Sequence, residues 1–137
     1  MKSAFSKISK IKKQKLNTIE NEIMRIQLDI MRLEQAIKEI YEHIKKLEMP
    51  SRGSVVLLNF YQEKRQLLNK QKHELDQRLE AKRERLTEKQ TAYKDAQIDF
   101  EKIKYLEDQE LMSKIKKIKK DEQKELDEMA NILQYKR

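Results

Sequence analysis

Catalytic chemistry in this chain of 137 residues would have to come from its histidines, carboxylates and amines. His43 and His73 stand far apart, and neither has a His or Cys neighbour at metal-ligand spacing. The 24 Asp and Glu residues could act as general acids or bases only where a cleft perturbs them, and nothing in the sequence builds a cleft. One Gly cannot supply a glycine-rich phosphate loop. Zero Cys removes disulfides and thiolate metal sites, which accords with a cytoplasmic setting. The expectation is a non-enzymatic protein with no catalytic, metal or cofactor site.

What remains is cationic chemistry. The 32 Lys and Arg outnumber the acids, giving a net charge of +8. The excess is uneven. Lys2, Lys7, Lys10, Lys12, Lys13 and Lys15 lie in a stretch without acids, and Lys114, Lys116, Lys117, Lys119 and Lys120 form a second cluster. Two readings stand for these clusters. They dock an acidic protein surface, nucleic acid or anionic lipid, or they are solvated faces that keep a helical protein soluble. Aromatic residues for base stacking are sparse, which argues against a binder of single-stranded nucleic acid.

The elements that position these charges are set by periodicity. A composition of 41% charged residues with one Pro and one Gly reads as long helix. Apolar positions that alternate steps of three and four mark a coiled-coil seam. Leu16, Ile19, Ile23, Ile26, Ile30, Leu33, Ile37, Ile40, Ile44 and Leu47 keep that rhythm without an error. The spacing predicts a helix over about 3–48. The only Pro and Gly both fall within Met49–Ser54, where Pro disfavours helix before it, Gly permits a reversal and Ser54 can cap a second helix. That second helix is expected over about 55–135. Its seam is Leu58, Tyr61, Arg65, Leu68, Lys72, Leu75, Leu79, Lys82, Leu86, Lys89, Tyr93, Ala96, Phe100 and Ile103. No run is long and apolar enough to span a membrane, and no secretory leader is expected.

Folding the second helix back antiparallel predicts one all-α domain over 1–137, a lopsided two-helix coiled-coil hairpin. Centring the turn on Arg52 and Gly53 pairs positions whose numbers total about 105. Ile44 then faces Tyr61, Ile37 faces Leu68, Ile30 faces Leu75 and Phe5 falls opposite Phe100. Glu20 comes near Arg83 and Asp29 near Arg78. The seam lysines are expected to lay their methylenes on Ile and Leu and lift their ammonium groups to water. Roughly 30 residues of the second helix overhang, at 1.5 Å of rise each, with an apolar stripe of Leu111, Ile115, Ile118, Leu126, Met129 and Leu133. A stripe without an intramolecular partner implies an intermolecular one, or fraying. At the turn, Met49, Val55, Val56, Leu57, Leu58, Phe60 and Tyr61 gather, with Tyr41 nearby on the first helix. They form either a small core that staples the reversal or a protein-binding tip.

Several segments together resemble a known family. Phe5 precedes a long heptad helix, and a loop leads into Asn59-Phe60-Tyr61-Gln62. Tyr93, Ala96, Phe100 and Ile103 are succeeded by Tyr105-Leu106-Glu107, and Lys124-Glu125-Leu126-Asp127-Glu128-Met129-Ala130 comes near the end. The whole chain resembles the flagellar FliJ family, the stalk-like coiled coils of type III export. The resemblance implies a cytoplasmic antiparallel hairpin at the inner face of the cell membrane, held there through partners only. Those partners are the hexameric export ATPase, whose ring assembly it promotes, the cytoplasmic domain of the export gate, and export chaperones; no nucleic acid is expected. It places the ATPase-binding end at Phe5, Lys10, Lys12, Lys13, Phe100, Ile103, Leu111, Ile115 and Ile118. It places the gate-binding tip at Tyr41, Leu58, Phe60, Tyr61 and Leu68. The chain departs from the family pattern at Lys64 and Gln71, where Phe and Ala are expected. The rival readings are a basic coiled coil for nucleic acid or anionic membrane, acting through 1–15 and 102–120, and a structural spacer.

Overall fold

The computed structural model describes residues 4–47 and 53–135, and among them every element is helical. Helix α1 spans Ala4–Lys46 and α2 spans Val55–Tyr135, and they pack against each other as a helical hairpin. The expected helix start at Ser3, Lys2 of the first basic cluster and Met49–Arg52 of the turn lie outside the described residues. The chain divides into two compact units. The first is Met1–Leu16 with Asp95–Arg137, and the second is Asn17–Lys94.

The seam of α1 is the one the periodicity marks. All ten of its positions from Leu16 to Leu47 are buried or half-buried, while residues between them are largely exposed. On α2 the seam holds from Tyr61 and Leu68 through Leu79, Leu86 and Ala96 to Ile103, and then continues to Glu107 and Glu110. Leu58 and Arg65, expected in the seam, are exposed instead. Burial is shallow because each helix has one neighbour. The most enclosed apolar side chains are Leu16 and Ala96 at 4% exposure and Ile26 at 5%.

The register differs from the expected one. In the second unit Lys82 Nζ lies 3.1 Å from Asp29 Oδ2, Lys89 pairs with Glu22, and Lys72 Nζ sits 5.6 Å from the centre of the Tyr41 ring. The joined residue numbers total 111, 111 and 113, and the long Arg83 side chain reaches Glu34 at a total of 117. In the first unit Lys13 Nζ sits 5.4 Å from the centre of the Phe100 ring, again a total of 113. Both units therefore pair positions near 112, about one heptad from the expected 105. Arg83 meets Glu34 at 3.2 Å instead of Glu20, and Asp29 meets Lys82 instead of Arg78. Lys13, not Phe5, lies on Phe100. The physical reason is that both seams repeat every seven residues. A slip of one heptad leaves Ile and Leu against Leu and changes only the polar partners.

Those polar partners favour the observed register. Lys82 and Lys89 interrupt the α2 seam, and each is held by a carboxylate of α1 rather than raised free into water. The Glu22 carboxyl is held below its ordinary pKa, first by the hydrogen bond from Lys89 and then by the charges of Lys89, Arg85 and Arg25, against an opposing push from burial.

The register also explains the turn end. Lys46, the last residue of α1, stands level with about residue 66 of α2. The first eleven residues of α2, Val55 to Arg65, therefore run past the end of α1. Ser54 caps them as expected: its Oγ accepts a hydrogen bond from the Leu57 N–H at 3.3 Å, and its carbonyl accepts those of Leu57 and Leu58. Gly53 does not adopt a positive φ, so it supplies no left-handed reversal. A Cβ there would lie 3.0 Å from the far end of the flexible Leu57 side chain.

Candidate protein-binding surfaces

The first unit carries the residues expected at the two-termini end. Phe5, Lys12, Phe100 and Ile103 are half-buried, so they belong largely to the helix pairing. Lys13 is exposed yet lies over Phe100, where the ring face attracts its ammonium. Lys10 is exposed on the same helix. Ala4, the first described residue of α1, stands level with about residue 108, so α2 runs on past the described part of α1. Every residue from Leu111 to Tyr135 is exposed. Leu111, Ile115 and Ile118 are therefore free apolar surface, continued by Leu126, Met129 and Leu133.

A groove in this unit has a volume of about 490 Å³ and is lined by Ile98, Glu101, Lys102, Tyr105 and Leu106. Sequence reasoning gave it no role. Its signal is a helical spacing of 98, 102 and 105 on the face of α2 turned away from the seam.

The second unit carries the turn-end residues. Val55, Val56 and Phe60 are strongly exposed, and Leu58 is at 38%. The Phe60 and Tyr61 rings meet edge to face, with centroids 6.1 Å apart and planes at 83°. Edge-to-face geometry of this kind is favourable between aromatic rings and makes an aromatic corner. Tyr61 and Leu68 are half-buried and serve the seam in part. Tyr41 is exposed and engages Lys72, one element away from the Phe60–Tyr61 corner. Of the two readings of this cluster, a closed staple is the weaker: its aliphatic members face solvent because α1 ends before it can cover them.

A further groove of about 440 Å³ lies between the helices of this unit. It is lined by the cations Arg32, Arg78, Lys82 and Arg85 together with Asp29, Leu33 and Ala81. It was not foreseen because its cations come from both helices and meet only in the observed register. Among the described residues no cluster of His, Cys, Asp or Glu could hold a metal ion, and no helix is long and apolar enough to cross a membrane.

Within each unit the segments of α1 and α2 pair along a seam, and each unit leaves a stretch of α2 with exposed apolar residues. A family model described as the flagellar FliJ protein matches residues 1–137. The chain belongs to the flagellar FliJ family. Membership makes it a component of the flagellar export apparatus. The match covers the helical hairpin of both units, including the α2 segment that α1 does not reach. Comparison with curated proteins and with solved structures returned no match. The FliJ reading thus rests on the family pattern and on the two helices themselves.

Proposed function

We propose that this FliJ-family chain is a non-enzymatic, stalk-like coiled coil of the export apparatus. It seats in the ring of the hexameric export ATPase, promotes ring assembly, and links the ring to the cytoplasmic domain of the export gate and to export chaperones. The observation that carries the reading is the α2 segment from Leu111 onward, which leaves α1 behind and presents an unpartnered apolar stripe. Lys10, Lys12, Lys13 and the lysines from Lys114 to Lys120 surround that end with positive charge for an acidic ring lumen. Leu58, Phe60 and Tyr61 form the tip that addresses the gate, with Tyr41 and Leu68 beside it. The chain works in the cytoplasm at the inner face of the membrane, through its partners.

The rival, a nucleic-acid or anionic-membrane binder, uses the same lysines but not the stripe. Raising salt separates them. Counterion release makes a purely phosphate-directed association collapse by ~0.2 M salt, whereas apolar seating persists. The test mixes the full chain with the export ATPase and monitors hexamer formation by mass photometry at low and high salt. Hexamers that persist at high salt, and are lost with Ile115→Ser and Ile118→Ser, support the stalk. Binding to duplex DNA or anionic vesicles with no effect on the ATPase overturns it.

A further inference from the structure

One flank of the helix pair in the second unit carries arginines that the chain does not pair. The lysines of that flank are taken: Lys82 is held by Asp29, and Lys89 by Glu22. Arg32 and Arg78 line the groove of about 440 Å³ between the helices. Among the described residues neither has a carboxylate within ion-pair distance. Asp29, the one carboxylate in the lining, is the partner of Lys82. Glu39, Glu74 and Glu88, a turn or two away on the same helices, form no ion pair with Arg32, Arg78 or Arg85. Arg25 and Arg85 lie near enough to Glu22 for their charges to depress its carboxyl, but its hydrogen bond comes from Lys89.

The register arranges these arginines as two doublets. Arg32 and Arg78 total 110, as do Arg25 and Arg85, so each stands nearly level with its counterpart across the flank. The doublets are one heptad apart, about 10 Å at 1.5 Å per residue. Like charges facing across a flank oppose the pairing of the helices, so the doublets do not serve the hairpin. Between them lie the neutral Asp29–Lys82 pair and the small side chain of Ala81, with Leu33 beside Arg32.

That pattern has a definite complement. A helix with acidic residues at i and i+7 sets two carboxylates about 10 Å apart on one face. An aliphatic residue one turn from each acid then enters the groove, where Ala81 permits a close approach. Arginine suits carboxylates because its planar fork takes them by two parallel hydrogen bonds. A nucleic-acid strand fits less well. It brings no aliphatic group for Leu33 and Ala81, and its evenly repeated phosphates set one against Asp29.

We infer that this groove docks an acidic amphipathic helix of a partner protein, with carboxylates one heptad apart on the two arginine doublets and an aliphatic side chain over Ala81. The inference rests on the second unit alone and does not depend on the export partners or on either apolar stretch of α2.

The test uses the full chain and a fluorescent, alanine-rich helical peptide of about 20 residues, with two Glu one heptad apart and Leu between them on the same face. Anisotropy is expected to show saturable binding with a Kd of ~0.1 mM or tighter at ~0.15 M salt. Moving one Glu off the face is expected to weaken it about fivefold or more, and Arg32→Ala and Arg78→Ala about fivefold each. Ala81→Trp fills the groove and is expected to abolish binding. Lys116→Ala and Lys117→Ala, on cations of the first unit, are expected to leave it unchanged. Arg78→Glu sets a carboxylate level with Arg32, so the melting temperature rises while peptide affinity falls, two changes that misfolding cannot produce together. The inference is overturned if the peptide with the displaced Glu binds equally well, if Lys116→Ala costs as much as Arg32→Ala, or if no saturation is reached by ~1 mM peptide. It is also overturned if duplex DNA binds more tightly than the peptide through Arg32 and Arg78, or if Arg32→Ala dissolves a dimer of the chain formed without peptide, the occupant then being a second copy.

Discussion

At the scale of single residues, the seam is shallow but its isoleucines are unequal. Ile26 is among the most enclosed apolar side chains, whereas Ile118 lies on open helix surface. Ile26→Ala removes packed methyl groups, and a partly collapsible two-helix site puts the cost at about 2–3 kcal/mol. Ile118→Ala is expected to stay within about 0.5 kcal/mol. Thermal unfolding monitored by circular dichroism measures both, and equal costs would mean that the α1 seam is not packed. Glu22 carries the clearest electrostatic prediction. Its carboxyl is depressed by the Lys89 hydrogen bond, so the unfolded chain binds the proton more tightly than the folded one. Stability is then greatest above the ordinary carboxylate range and is lost as pH falls through the depressed folded value. Glu22→Gln should lower the plateau from pH ~6 to 8 while leaving the acid end unchanged, so that the acid limb of the melting-temperature profile flattens. An acid limb identical to that of the unaltered chain would remove Glu22 from the account.

Pairing between the two helices, the next scale up, turns on a choice of heptads. Apolar burial is nearly the same in registers totalling 105 and 112, because Leu68, Leu75, Leu79 and Leu86 recur along α2. What differs is which carboxylates meet Lys82, Lys89 and Arg83. Each exposed pair contributes about 0.2–1 kcal/mol, too little to hold the helices together but enough, summed, to choose between near-equal alignments. A short bifunctional maleimide should join Cys placed at Ile37 and Leu75, or at Ile44 and Leu68, within one chain. Cys at Ile30 and Leu75 lie about 10 Å out of level and should react far more slowly. Faster reaction of the Ile30–Leu75 pair would restore the shorter register. Ser54 sets where α2 begins, and Ser54→Ala is expected to cost about 1 kcal/mol by leaving the Leu57 N–H without its side-chain acceptor.

For the whole molecule, the exposed apolar stretch at the start of α2 and the one from Leu111 onward belong to different compact units, each with its own buried residues. Surfaces that share no core should fail separately. Leu58→Ser with Phe60→Ser is expected to weaken gate binding in a pull-down while leaving stimulation of the export ATPase largely intact. Lys10→Glu, Lys12→Glu and Lys13→Glu together should do the opposite, with circular dichroism confirming the helices in each case. If both sets damage one interaction equally, the two-ended stalk gives way to a single continuous binding face.

Helix content, the break between the helices and the identity of the α1 seam were all legible in the residues themselves. They depend on local propensity and on period, and ten aliphatic positions in one unbroken three-four rhythm admit a single helical face. The Ser54 cap was legible for the same reason, because a cap is a contact over three residues. The register was not. Heptad repetition makes alignments one repeat apart nearly degenerate, and centring the turn on the only Pro and Gly chose the wrong one of two good answers. The exposed start of α2 is a consequence of the true register: once Tyr41 meets Lys72 and Asp29 meets Lys82, α1 ends too soon to cover Val55, Val56 and Phe60. Sequence by itself thus determined which faces are apolar. Only the packed structure decided which parts of those faces are left over, because that depends on how far one helix slides along the other.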